Sequence, residues 1–215
     1  MDDRGAQASE RPRPFELLRS FVLADFITLA NAVCGTGAIF LCLNYLDMGR
    51  FTPFLAGAFT LLALALVFDV ADGLVARYGR RSSLFGADLD SLADVVSFGV
   101  APAVLGFTLG LRGFWDALVL CAFVCCGVSR LARFNVTADK LSAGTGKVAY
   151  YEGTPIPTSL LIVLVLAIAL WRGAVGDALW LGSVRLGPGY FHPLVLLYAV
   201  SGSAMMSARL RIPKP

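Results

Sequence analysis

The chain has 215 residues, 57% of them hydrophobic and 15% charged, with a formal net charge of +3. Soluble domains run nearer half apolar and a quarter charged, so this balance points to a membrane protein, and so small a charge gives no reason to expect nucleic acid as a partner. The five cysteines (Cys34, Cys42, Cys121, Cys125, Cys126) lie in apolar runs without zinc-site spacing, which makes them small hydrophobes rather than ligands.

Residues 1–13 are polar and read as a disordered cytosolic tail, with no signal-peptide pattern, ahead of a single domain over 14–215. Phe15, Leu18 and Val22 fall at helical spacing, the pattern of a short amphipathic surface helix or of a lead-in to the first span. Six apolar segments follow, at 22–46, 52–76, 89–111, 114–134, 155–172 and 191–209. Each is near the roughly 20 residues a helix needs to cross a hydrocarbon core, so the expected fold is an all-α integral membrane protein with six transmembrane helices. Lys and Arg are shared unequally among the connections, fourteen in one alternate set and four in the other. The positive-inside rule then places both termini, the turn at 77–85 and the loop at 130–153 in the cytoplasm.

Between the second and third spans the charge pattern changes character. Asp69 and Asp72 are three apart, and Asp90 and Asp94 four apart, so each pair shares one helix face. Both pairs lie about 11 residues from the centre of the turn. An antiparallel hairpin therefore brings four carboxylates to one depth, roughly 10–15 Å below its tip at about 1.5 Å per residue. Like charges at 4 Å repel by about 4 kcal/mol at an effective dielectric of 20, so either several are protonated or a cation is present. Oxygen-only ligation suits Mg²⁺, Mn²⁺ or Ca²⁺. His192, the only histidine, falls on the opposite side of the membrane, which leaves no histidine-ligated zinc and no histidine base. On the spans alone, a cation transporter and structural groups paired with Arg77 remain alternatives.

The complete spacing is Asp-x2-Asp-Gly-x2-Ala-Arg-x8-Gly-x3-Asp-x3-Asp, carried by Asp69, Asp72, Gly73, Ala76, Arg77, Gly86, Asp90 and Asp94. It resembles the signature of the CDP-alcohol phosphotransferases, without gap or substitution. The resemblance implies six transmembrane helices, a homodimer and a site open to the cytoplasm, in the inner cell membrane for a bacterial-type member. In that site Asp69, Asp72, Asp90 and Asp94 would hold two divalent cations, Mg²⁺ or Mn²⁺, with Asp94 also the general base. Gly73, Ala76, Arg77, Gly86 and a turn hydroxyl, Ser83 ahead of Ser82, would join Asp69 and Asp72 around the CDP-linked lipid. Asp88 is outside the pattern and points to another face of the helix.

Two further stretches, ITLANAVCG in the first span and SRLARFN…GTPIPTS after the fourth, are similar to those of the bacterial-type phosphatidylserine synthase branch. That implies CDP-diacylglycerol and L-serine as substrates and CMP as leaving group. The departures are Thr154, where a bulkier apolar residue is usual, and a long fifth connection at 173–190. Serine is a zwitterion whose carboxylate needs a cation, and Arg130, Arg133, Asn135 and Lys147 are the candidates for it. Basic residues are also expected here from topology alone. A sister transferase accepting inositol phosphate, glycerol phosphate or choline is the nearest alternative. Pro155 and Pro157 suit the first turn of a helix and need no function.

Overall fold

The computed structural model describes residues 23–79, 84–142, 150–152, 154–187, 189–207 and 211–213. Helices dominate: α1 (Leu23–Asp47), α2 (Thr52–Gly79), α3 (Leu84–Asp94), α4 (Ala101–Leu109), α5 (Phe114–Ser142), α6 (Leu160–Trp171) and α7 (Leu196–Met206). Among the described residues, four helical segments are long and apolar enough to cross a membrane: Asp25–Asp47, Thr52–Val75, Gly86–Leu109 and Phe114–Val136. Ile156–Trp171 and Pro193–Met206 are apolar but shorter. This is the architecture of a multi-pass, mostly helical membrane protein. The N-terminal tail, the possible surface helix, Ser83 and Lys147 lie outside the described residues.

The fifth and sixth apolar segments are shorter as α-helix than their hydropathy suggests, and proline explains it. Pro157 and Pro193 lie in 3₁₀ turns, Ile156–Ser159 and Pro193–Val195, that precede α6 and α7. A proline has no N–H to give and restricts the residue before it, so the regular i→i−4 ladder begins only beyond the turn. Small strands also appear in a chain expected to be all helical. β1 (Tyr150–Glu152) pairs antiparallel with β4 (Arg211–Pro213), and β2 (Val184–Leu186) with β3 (Gly189–Phe191). The long fifth connection therefore holds a hairpin, and the C-terminal strand is tied to the α5–α6 connection.

That hairpin is anchored to the start of α5. Trp115 Nε1 donates to Leu186 O at 2.8 Å, and buried Asp116 accepts from the backbone N–H groups of Gly113 at 2.9 Å and His192 at 2.8 Å. The His192 ring completes the cluster, with Nδ1 2.5 Å from Asp116 Oδ2. Nineteen residues, or roughly 28 Å of helix, separate Asp116 from Asn135 farther along α5. His192 thus has a structural partner of its own, at the end of α5 remote from Asn135.

The α1–α2 pair shows how one stripe can change chemistry along its length. Leu55, Ala58, Leu62 and Ala65 of α2 are fully buried, and continuing that three–four spacing leads to Asp69 and Asp72. On α1 the buried stripe runs Tyr45, Cys42, Ala38, Cys34 and then Asn31, Thr28 and Asp25. Because the helices are antiparallel, the apolar halves face each other, and so do the polar halves. Apolar packing at one end therefore aligns the carboxylate end.

After Asp94 the third helix widens into a π-helical turn, Val95–Val100, before α4. Ala101 N–H reaches back five residues to Val96 O. Pro102 follows at once; it cannot donate, and its ring crowds the preceding turn, which favours the wider winding. The widened backbone lies directly against α1. A Cβ at Gly35 would stand 2.7 Å from Ser97 Cα, and Ser97 Oγ donates to Asn31 O at 2.9 Å. Gly35→Ala should therefore destabilise the fold by about 1–3 kcal/mol, since backbone on the far side cannot yield cheaply. A thermal midpoint in detergent equal to that of the wild type would show that the two segments separate freely.

Farther from the site, Tyr198 Oη donates to Pro102 O at 2.6 Å, and its ring meets Phe123 edge-on at 5.2 Å, locking α7 against α4 and α5. Ile156 fills the space over Gly99 and Gly127. A Cβ on Gly127 would stand 2.9 Å from Ile156 Cδ1, so that glycine lets the TPIPTS segment approach α5.

Candidate active site

The site lies at the end of the bundle where the second half of α2, α3 and the first turns of α1 meet. Asp69, Asp72 and Asp90 each offer a carboxylate oxygen, all within 4.8 Å of one another, with Asp72 buried and the other two half-buried. Asp94 is buried one helical turn beyond Asp90, close enough to Asp69, Asp90 and Asp72 for their charges to act on one another. The structure thus brings both sequence pairs together, as three clustered carboxylates with the fourth beside them.

Two of the carboxylates are held from α1. Thr28 Oγ1 donates to Asp72 Oδ2 at 2.8 Å, and Asn31 Nδ2 to Asp94 Oδ1 at 3.3 Å. Neither Thr28 nor Asn31 was a candidate from the sequence. The available signal was polarity at three-residue spacing (Asp25, Thr28, Asn31) inside an apolar span, which marks a face turned away from lipid.

The donor set fits a hard divalent cation. It is made of oxygen alone, and Asp90 Oδ1 is buried with no hydrogen-bond partner among the described residues. Three full charges at 4.8 Å would repel by about 3.5 kcal/mol per pair at an effective dielectric of 20, a cost that a bound cation reverses. Beside Asp72, a Cβ placed on Gly73 would meet no described atom within 4 Å. Internal packing therefore does not demand glycine there, and the absent side chain leaves room next to the carboxylates. Ala76 and Arg77 lie on the last turns of α2 and Gly86 in the first turn of α3.

The RLARFN stretch forms part of the second half of α5, at the end of that helix remote from Asp116. Arg133 is exposed and Arg130 half-buried. Asn135 is turned onto α3, with Nδ2 donating to Asp88 Oδ1 at 3.1 Å and Oδ1 accepting from Ser91 Oγ at 3.1 Å. Asp88, exposed and on a different face from Asp90, is thereby tied to the stretch expected to bind the acceptor.

Relatives carry the same kind of chain. A CDP-diacylglycerol–serine O-phosphatidyltransferase of Saccharomyces cerevisiae is 42% identical over 204 residues, 94% of this chain and 74% of that protein. A protein of the same name from Methanocaldococcus jannaschii is 35% identical over 153 residues, covering 70% of this chain and 62% of its own length. An archaetidylserine synthase of Methanothermobacter thermautotrophicus is 37% identical over 150 residues, 68% of this chain and 58% of that protein. The chain therefore spans less than two thirds of the two archaeal proteins. The family model described as CDP-alcohol phosphatidyltransferase matches residues 21–188, most of the sequence, and the chain belongs to that family.

Proposed function

We propose that the protein transfers the phosphatidyl group of CDP-diacylglycerol to the hydroxyl of L-serine, releasing CMP. The observation that carries this reading is the convergence of Asp69, Asp72 and Asp90 within 4.8 Å, with Asp94 beside them, in a member of this family. Relatives whose names specify serine as acceptor support the choice of alcohol. Asp69, Asp72, Asp90 and Asp94 would hold two divalent cations, Mg²⁺ or Mn²⁺, which when bound supply positive charge to the pyrophosphate and the departing phosphate oxygen.

The chain's own groups do the rest. Asp94 takes the serine hydroxyl proton, at the carboxylate oxygen that Asn31 does not engage. The serine oxygen forms its bond to the lipid phosphorus as the bond to the CMP oxygen breaks, in one in-line displacement. Gly73 gives room for the nucleotide beside Asp72, and Ala76, Arg77, Ser83 and Gly86 complete its contacts. Arg133, with Arg130 and Lys147, provides positive charge for the serine carboxylate. All six apolar segments cross the membrane, with both termini and the site on the cytoplasmic side, a reading supported by the uneven Lys and Arg distribution. The working unit is a homodimer in the cell membrane, as family resemblance implies.

The deciding experiment incubates membranes carrying the protein with CDP-diacylglycerol, Mn²⁺ and radiolabelled serine. Serine-dependent release of CMP is expected. Release driven instead by inositol phosphate, glycerol phosphate or choline would reassign the acceptor, and metal uptake without CMP release would favour a transporter.

Arg133→Lys separates the acceptor role from a topological one. Lysine keeps the charge but gives up the two-pronged guanidinium contact. Serine KM should rise about ten- to hundredfold, the equivalent of losing roughly 1.5–3 kcal/mol in a charged hydrogen bond. The response to CDP-diacylglycerol should not change. A raised KM for the lipid would move Arg133 to the phosphate site, and no change in either would leave it an anchor of α5.

A further inference from the structure

We propose that Asn135 is a positioning residue: with Asp88 and Ser91 it forms a polar clamp between α5 and α3 that sets the rotation of α3, and hence the aim of Asp90 and Asp94. The inference rests on the metal-assisted transfer proposed above. A carboxylate can only accept, so the Asn135 nitrogen must face Asp88, which leaves its oxygen for the Ser91 hydroxyl. Ser91 Oγ also lies 3.0 Å from Ala87 O and has one proton to share, so the charge-assisted bond to Asp88 is the stronger arm.

Helical geometry turns this contact into control of the site. Asp88 and Ser91 are three apart and share the α5-facing side of α3, whereas Asp88 and Asp90 point about 160° apart at roughly 100° per residue. Taken as pairs, Asp88 with Ser91 and Asp90 with Asp94 are centred about 110° apart round α3, so the clamp holds one flank of the helix whose adjoining face carries the carboxylates. A 20° roll would move a group about 6 Å from the helix axis by roughly 2 Å. Misplacement of even 1 Å can cost about 100-fold in rate. The sequence alone made Asn135 a candidate serine ligand. In the structure both the oxygen and the nitrogen of its amide are engaged on α3.

The test uses the full chain in detergent, with Mn²⁺ binding followed by electron paramagnetic resonance without substrate, beside kcat and serine KM. Asn135→Asp sets two carboxylates against each other and should lower Mn²⁺ affinity about tenfold, with a matching loss of kcat and serine KM within about twofold of wild type. Asp88→Asn keeps a neutral bond and should do less. The double exchange, Asp88→Asn with Asn135→Asp, only trades donor for acceptor and should restore both readouts. Failure of the exchange to restore either one, or a raised serine KM with unchanged Mn²⁺ affinity, would overturn the clamp and return Asn135 to the acceptor site. Wild-type Mn²⁺ binding without serine-dependent turnover would instead overturn the transfer reading, and the Mn²⁺ titration would then decide the clamp. Turnover without Mn²⁺ binding would overturn the metal reading and leave the decision to kcat against serine KM.

Discussion

Asp69→Ala, Asp72→Ala and Asp90→Ala should each abolish serine-dependent CMP release while leaving the fold intact. Each removes one of three carboxylates whose oxygens lie within 4.8 Å, and no other described Asp, Glu, His or Cys belongs to that cluster. Partners one shell outside a metal typically contribute 10–100-fold in affinity, so direct ligands should cost more than about 100-fold. EDTA should silence the wild type in the same way, and Mg²⁺ or Mn²⁺ should restore it. Stability should move in the other direction. Without metal, removing one carboxylate relieves like-charge repulsion of up to about 3.5 kcal/mol per fully charged pair. The thermal midpoint in EDTA should therefore equal or exceed that of the wild type. Inactive variants that unfold would make the aspartates structural, and a metal-free preparation with full activity would remove cations from the mechanism.

Asp94→Asn should behave differently, with CDP-diacylglycerol binding near normal and the chemical step lost. The replacement is isosteric and keeps an oxygen where Asp94 Oδ1 accepts from Asn31 Nδ2. It cannot take a proton at neutral pH. Loss of a general base typically costs about 10²–10⁴-fold in rate. Lipid affinity can be followed by displacement of a labelled nucleotide lipid, and kcat in the serine assay. Near-wild-type turnover would make Asp94 only structural, and loss of lipid binding would make it chiefly a metal ligand.

The contrast between these variants reflects what each residue's neighbours supply. Asp72 and Asp94 each hold a hydrogen bond from α1, whereas Asp90 keeps a buried oxygen with no hydrogen bond among the described residues. A carboxylate already supplied with donors can serve as a base or an aligned ligand. One without them among the described residues has an oxygen left to offer a cation.

Much of this was legible in the linear sequence because helical periodicity converts spacing into geometry. Asp69 and Asp72 at i, i+3, and Asp90 and Asp94 at i, i+4, on either side of a basic turn, are enough to place four carboxylates near one another. The apolar runs likewise give the long helices directly, because only length and hydropathy matter to a span. Where prolines intervene, at Pro157 and Pro193, hydropathy overstates the α-helix, since a lipid-compatible side chain does not supply the missing N–H.

What the tertiary structure alone decided is which polar groups meet across helices. Thr28 and Asn31 lie 44 and 63 residues from the carboxylates they hold, and Asn135 lies 47 from Asp88. No periodicity within a single helix reports such distances. They depend on Gly35 letting α1 touch the π turn, on that turn re-aiming the chain just after Asp94, and on antiparallel packing that sets polar stripe against polar stripe. The sequence by itself determined the long apolar helices, the helical spacing of the four aspartates and the family signature, because those are local and repeat with the helix. The donors that orient the carboxylates, and the contact tying the acceptor stretch to their helix, exist only once the helices pack.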